Sequence, residues 1–405
     1  MTRHLFLIVF VCLLFFGCIS DKTETQIEST SEAKTESESL AELNAILDAA
    51  RVQREDLGTV KTLTIVGYYS RIEAISDFSS LALLSNLEEL QLTHFSIIDI
   101  SFVSNLTNLK RLTLLSNGEV HNLASIADIS NLEFLAIEGG ENIDISFLEN
   151  LLDLKELDLS GPWYQMRGIT GISSITNLTN LRRLDLTVGD IDTDLLPISN
   201  LKKLESLHLS GSGISNIIPI SNLINLKRLS LSYLGTGDIS PIHTLGNLED
   251  LSISSRYINI ENFSSVSNLL NLKHLDIGFA PDFDLAYIKD LQNLETLRFF
   301  LLNNPNLNYL TNLHSLRDIE IVGFNFGDLT PLAKLPNLES LTIFGSENEY
   351  IGNPRAINIM PLAASNSLRY ISTGFRGLGS LENFRNNEGK IFEERGISVY
   401  SQDLR

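Results

Sequence analysis

Fourteen triplets of the form apolar-x-apolar return along this chain at nearly constant distance, and no other feature constrains its fold as tightly. They begin at Leu63, Leu90, Leu112, Leu135, Leu157, Leu184, Leu207, Leu229, Leu251, Leu275, Leu297, Ile319, Leu341 and Ile371, and seven of the thirteen gaps are 22 residues long. Self-similarity with a period of roughly 20 to 29 residues belongs to chains that wind into stacked coils. The two apolar residues of a triplet lie two apart, so on a strand they share one face while their neighbours take the other. A strand this short is unstable alone. Piled on copies of itself, it gains a hydrogen-bond ladder and its leucines close a continuous core. Fourteen rungs at about 4.8 Å each give an inner face on the order of 60 Å long.

A typical unit runs from Ser104 to Leu114, with Leu109, Leu112 and Leu114 as its recurring apolar positions. Between strands comes a second phrase, Asp238-Ile239-Ser240-Pro241-Ile242 followed by Leu245 and Leu248. Its apolar residues are spaced three apart, which fits tight turns or short 3₁₀ segments whose side chains eclipse and point inward. Asp99-Ile100-Ser101, Asp144-Ile145-Ser146 and Asp328-Leu329-Thr330-Pro331-Leu332 repeat it.

These residues closely resemble the 22-residue repeats of the internalin family of bacterial leucine-rich-repeat proteins, from about residue 60 to 373. The resemblance implies an α/β leucine-rich-repeat solenoid: a curved parallel sheet of about 14 short strands, with turns and 3₁₀ segments on the convex side. It also implies adhesion-type protein binding without naming a receptor. Family repeats carry an Asn three residues after the second strand leucine, and here only Asn117 keeps it; elsewhere the place holds residues such as Phe95, Gly140, Gly189, Ser212 and Leu302. Backbone groups there need other partners, so looser coils or ordered water are expected.

A solenoid grows by adding coils, so 405 residues suit one elongated domain. The formal net charge of -20 and the absence of a basic stripe argue against nucleic acid. Arg3, the apolar run Leu5 to Phe16 and then Gly17-Cys18 form an export signal, too short to cross about 30 Å of hydrocarbon. A retained signal anchor is the alternative. Cys18 after a small residue resembles a bacterial lipoprotein signal, which implies that Cys18 becomes the acylated first residue and that residues 1–17 are removed. Phe15 and Phe16 depart from the usual residues of that signal. Residues 18–38 then form a disordered Ser/Thr/Glu tether, with an average span of about 25 Å. Residues 39–60 hold a cap helix, residues 61–373 the repeats and residues 374–405 a C-terminal cap. Ser39 and Glu42 have capping-box spacing, and Leu40, Leu43, Ile46, Leu47 and Ala50 form one stripe. A membrane-lying helix is the alternative there, disfavoured by acidity. Leu381, Phe384, Ile391 and Phe392 predict a covering helix interrupted at Gly389, Gly396 its stop, and Ile397 to Tyr400 a last strand.

The concave strand positions of the later coils include His274, Asp276, Arg298, Phe300, Glu320, Val322, Thr342 and Phe344, with Phe279 and Phe324 at strand exits. Phe300, Val322 and Phe344 occupy equivalent places in three successive coils. An aromatic stripe rimmed by Arg and acids has the make-up of an interface core; the alternative is that these rings merely cover one another. A loop after Leu159 carries Trp163 and Tyr164, either contact points or rings folded back over the coil edge. Another long loop spans residues 346–355. His208 lies one coil from Asp185 and two from Asp158, half of an acid-base arrangement, but no nucleophile stands beside it. No Cys cluster exists, and Asp190, Asp192 and Asp194 lack the Gly and terminal Glu of a calcium loop. The expectation is a non-enzymatic, exported lipoprotein at the cell surface or facing the periplasm, without metal or cofactor. Its concave face would bind a host or envelope protein; a structural spacer without a discrete ligand is the alternative.

Overall fold

The computed structural model describes residues 35–49, 57–67, 77–95, 97–115, 118–138, 142–161, 168–189, 193–255, 260–279, 283–301, 305–323, 327–345, 358–374 and 389–401. One parallel sheet of fifteen strands runs through them, its strands neighbouring each other in chain order. Each of the fourteen triplets lies in one of its strands, from Thr62–Val66 to Tyr370–Gly374, and Ser398–Ser401 adds the last rung. Leucine faces leucine across the pairs, as with Leu90 and Leu112 or Leu207 and Leu229. All fourteen first-position residues are at most 2% exposed. Truncating any one to Ala costs about 2 to 5 kcal/mol.

On the convex side short 3₁₀ segments recur, including Ser101–Asn105, Ser146–Asn150 and Ser240–Thr244. Ile239, Ile242, Leu245 and Leu248 are all buried, as their spacing requires. The aspartate that opens the phrase explains why the turn starts there. Its side chain accepts the backbone N–H two residues on, at 2.8 Å for Asp99 and Ser101, 2.8 Å for Asp238 and Ser240, and 2.9 Å for Asp328 and Thr330. This Asx turn holds the chain in the tight conformation that three-residue periodicity needs. Two-stranded pairs outside the main sheet, which the repeat pattern does not announce, join Ile97–Asp99 to Glu119–His121 and Asn142–Asp144 to Gly168–Thr170.

At the strand exits among the described residues, the coils hold together without the family's asparagine. Backbone groups of adjacent coils pair there directly: Gly118 N–H donates to Phe95 O at 2.7 Å, Val188 N–H to Ser210 O at 2.8 Å and Gly213 N–H to Gly189 O at 2.7 Å. An amide ladder exists at a different place, on the turn that enters each strand. There the side-chain Nδ2 groups of Asn86, Asn108, Asn131, Asn180, Asn225, Asn247, Asn271, Asn293 and Asn337 donate to a carbonyl of the preceding coil at 2.8 to 3.0 Å.

Both ends of the core carry helices. Glu36–Ala49 buries Leu43, Ile46 and Leu47, and it packs against the first convex turn, Ser79–Leu83, while Leu40 stays 42% exposed. Its capping box is formed by Thr35 and Glu38, not Ser39 and Glu42: Thr35 N–H donates to Glu38 Oε2 at 2.8 Å and Glu38 N–H to Thr35 Oγ1 at 3.3 Å. At the other end Gly389–Glu394 buries Phe392, and Gly389 is the first described residue of this helix. Gly396 adopts φ +73° and stops it, with Ile397 N–H bonded to Phe392 O and Gly396 N–H to Glu393 O. These are the two bonds of a Schellman cap. Ala50, Leu381 and Phe384 lie outside the described residues, as does the whole of the signal and tether up to residue 34, Cys18 included. None of the described helices is long and apolar enough to cross a membrane.

Candidate functional site

Side chains that alternate away from the leucines form three columns on the concave face, because the rungs stack in register. Asp276, Arg298, Glu320 and Thr342 follow one another in the middle column. Phe300, Val322 and Phe344 are directly paired in the third. The register shifts between Ile277 and Phe279, which sets the Phe279 backbone opposite that of Phe300. Phe300 and Val322 are half-buried. Phe324, at the next strand exit, lies outside the described residues, as do Trp163, Tyr164 and residues 346–355.

Arg298 is clamped between the coils on either side. Its guanidinium lies 3.1 Å from Glu320 Oε1 and 3.8 Å from Asp276 Oδ2. Burial nonetheless lifts both carboxyls above their ordinary range, with Arg298 pulling the other way. Asp318 in the first column is raised by burial as well, opposed by a hydrogen bond from Ser340. His274 places Nδ1 2.7 Å from Thr296 Oγ1 and Nε2 3.6 Å from Asp250 Oδ1. Earlier along the face, the Arg111 guanidinium lies 4.0 Å over the Phe134 ring.

His208 does line up with the expected carboxylates in the register, opposite Asp185 with Asp158 one strand further on the same side. Both acids are turned elsewhere. Asp185, only 6% exposed, accepts from Arg183 Nε at 3.0 Å and Nη2 at 2.5 Å. Asp158 accepts from Ser160 N–H at 2.9 Å and Ser160 Oγ at 2.5 Å. Burial lowers the His208 pKa, against the pull of Asp185 and Asp158. With both acids so engaged, this is no acid-base pair.

One arrangement escaped the sequence reading. The residue just before each strand alternates in charge along most of the solenoid, starting with Lys61, Glu88, Lys110, Glu133 and Lys155 and resuming from Arg182 to Arg369. The alternation breaks once, where Lys155 meets Arg182. Glu88 bridges Lys61 and Lys110 at 2.7 Å each, Glu205 bridges Arg182 at 2.6 Å and Lys227 at 2.9 Å, and Lys273 meets Glu249 at 2.6 Å. Backbone bonds such as Lys110 N–H to Glu88 O, 2.8 Å, set the spacing. Its signal was available in the sequence, in the single column of residues that precedes the triplets.

No family model matches the sequence, and no curated protein matches it. Solved structures do. An internalin (InlF) of Listeria monocytogenes aligns at 25% identity with a TM-score of 0.62, over 82% of this chain and 94% of that one. A leucine-rich-repeat protein of Leptospira interrogans aligns at 17% identity and a TM-score of 0.50, over 81% of each chain. The Arabidopsis receptor kinase HAESA, solved in complex with the peptide hormone IDA and the co-receptor SERK1, aligns at 18% identity and a TM-score of 0.53, over 90% of this chain and 64% of that one. The last two speak to the fold alone, whereas the first aligns with this chain over nearly its full length. Repeat phrase, rung register and structural likeness converge: the chain is an internalin-like leucine-rich-repeat protein.

Proposed function

We propose that the concave face docks a protein partner, and that the chain works as an exported lipoprotein held to a membrane through Cys18, in adhesion or envelope interaction. The observation that carries the docking reading is the third column, where Phe300, Val322 and Phe344 follow in register beside the Arg298 clamp, with Phe279 paired to Phe300 through the backbone. Apolar residues with an arginine at their border match the core and rim of a recognition surface. The middle and first columns add His274, Asp276, Glu320 and Thr342 as rim groups, and Trp163 and Tyr164 are further contact candidates. A standard interface uses 20 to 30 residues a side, and roughly three outward positions per rung over fifteen rungs supply them. That a leucine-rich-repeat receptor of a plant is solved with a peptide and a co-receptor bound fits the same use of the fold. The lipid anchor rests on Gly17-Cys18 after the apolar run, and the host or envelope origin of the partner on the likeness to internalins.

Arg298→Glu combined with Phe300→Ala and Phe344→Ala is expected to abolish partner capture in pull-downs while the chain stays folded by circular dichroism, with a lowered melting temperature because a third carboxylate then stands between Asp276 and Glu320. Capture at wild-type strength by this triple variant would show that the patch is wrong, and failure to find any saturable partner would favour a spacer role. Labelled palmitate is expected to enter the wild-type chain and not Cys18→Ser; equal labelling of both would refute the anchor.

A further inference from the structure

Between the Leu184 and Leu297 rungs the concave face sinks into an open trough of ≈ 580 Å³. Its cause lies in the middle column. Ser230 and Ser252 follow one another between His208 and Asp276, so two short side chains stand where the flanking rungs carry long ones.

Asp250 lies 3.6 Å from His274, an ion pair only when that ring is protonated, and the other carboxylates lining this trough are already engaged, Asp185 by Arg183 and Asp276 by Arg298 at 3.8 Å. The donors are not. Arg228 projects from the rim with its guanidinium in no hydrogen bond or ion pair among the described residues, its strand partner being Asp250. The half-buried ring of His208 makes no hydrogen bond among the described residues either. With the hydroxyls of Ser206, Ser230 and Ser252, these groups give the trough unspent donors in a chain whose net charge is -20.

We propose that the trough is a carboxylate-binding subsite of the docking face, in which Arg228 grips an acidic side chain or a chain-terminal carboxylate of the protein partner while His208 and the serine hydroxyls complete its hydrogen bonds. The proposal rests on the docking reading given above. An arginine fork matches a carboxylate in plane and spacing, and the half-buried floor strengthens the attraction relative to open water. Acid reinforces it. His208 is faced by Arg183 and Asp185 from the preceding strand, by Asp158 from the strand before that and by Arg228 from the next. Protonating the His208 ring, which burial opposes and a bound carboxylate favours, adds a donor and a positive charge, while a ligand carboxylate with a pKa of about 4 stays ionised at pH 5.5.

The test uses the full chain and fluorescent peptides of alternating Gly and Glu, with Gln and Lys counterparts, each with a free or an amidated C-terminus. The amidated Glu peptide is expected to bind at least about fivefold tighter than its Gln counterpart, in line with one charge-assisted hydrogen-bond pair, and tighter at pH 5.5 than at 7.5. If the terminal carboxylate is the group recognised, the free-acid Gln peptide shows that preference instead. Arg228→Gln should remove it, Arg228→Lys should keep part of it, and His208→Gln should diminish the gain at pH 5.5. Circular dichroism checks that each variant is folded. Equal binding of all peptides, preference for Lys, or indifference to Arg228→Gln would overturn the subsite. A partner lost by the Arg298, Phe300 and Phe344 triple variant but indifferent to Arg228→Gln overturns the subsite alone. Conversely, peptide binding that needs Arg228, with a partner indifferent to the triple variant, overturns the aromatic docking patch and leaves the subsite standing.

Discussion

Asp318 and Asn271 show how differently two polar residues of one repeat act. Burial raises the Asp318 carboxyl, and the hydrogen bond from Ser340 only partly offsets it. A folded pKa above the unfolded one means that the ionised form is penalised by folding, so the penalty is full above the folded value and gone below the unfolded one. Asp318→Asn should therefore raise the thermal midpoint at pH 7 and have no such effect at pH 3, measured by scanning calorimetry. Asn271 does the opposite service. Its amide donates to Gly246 O of the preceding coil at 2.8 Å, and Asn271→Ala is expected to cost about 1 kcal/mol in urea unfolding. Leu272→Ala beside it, at 0% exposure, should cost about 2 to 5 kcal/mol. The amide ladder adjusts stability; the leucines supply it.

Strand exits are where neighbouring coils come closest. Gly211 adopts φ +130°, and a Cβ there would fall 1.7 Å from the Val188 carbonyl oxygen. Its own N–H bonds Ser232 O at 3.0 Å, so the exit is pinned from both sides. Gly211→Ala should destabilise by roughly 3 kcal/mol through backbone strain and overpacking together. Gly246 meets nothing within 4 Å at the same test position, so Gly246→Ala serves as its control and should shift the urea midpoint little. A comparable loss at both sites would mean that inter-coil contact is not what Gly211 protects.

Along the whole molecule, the alternating charges before the strands work as one system. Glu88 is held at about 2 by its hydrogen bonds to Lys110 and Lys61. Glu205 is lowered by Lys227 and Arg182, and Glu249 by Lys273. Folded values below the unfolded ones mean that this stabilisation is complete above about pH 4.5 and is lost as pH falls towards 2. Each pair is exposed and individually weak, and salt screens it. The carboxyls of Asp276, Asp318 and Glu320, raised by partial desolvation at the concave face, have the opposite sign and gain from protonation at higher pH. The melting temperature should therefore hold or rise slightly from pH 7 to 5 and then fall from pH 4.5 to 2.5, with the fall reduced in 1 M salt. A profile without that acid limb would remove the ladder from the stability of the solenoid.

The period of the leucine triplets determined the rungs, the core and the convex turns, because each rung buries its leucines only against its neighbours and every coil obeys the same local rule. Register followed from the period too, which is why Phe300, Val322 and Phe344 could be aligned before any coordinates. Other features needed the tertiary structure. The register shift at Gly278 that pairs Phe279 with Phe300, the capping box at Thr35 and Glu38, and the amide ladder on the entering turn depend on backbone geometry that the period does not encode. So does the direction in which a side chain turns: Asp185 towards Arg183 and Asp158 towards Ser160, leaving His208 and Arg228 to face the hollow. Periodicity fixes which residues become neighbours, and only packing in three dimensions decides which of those neighbours bond.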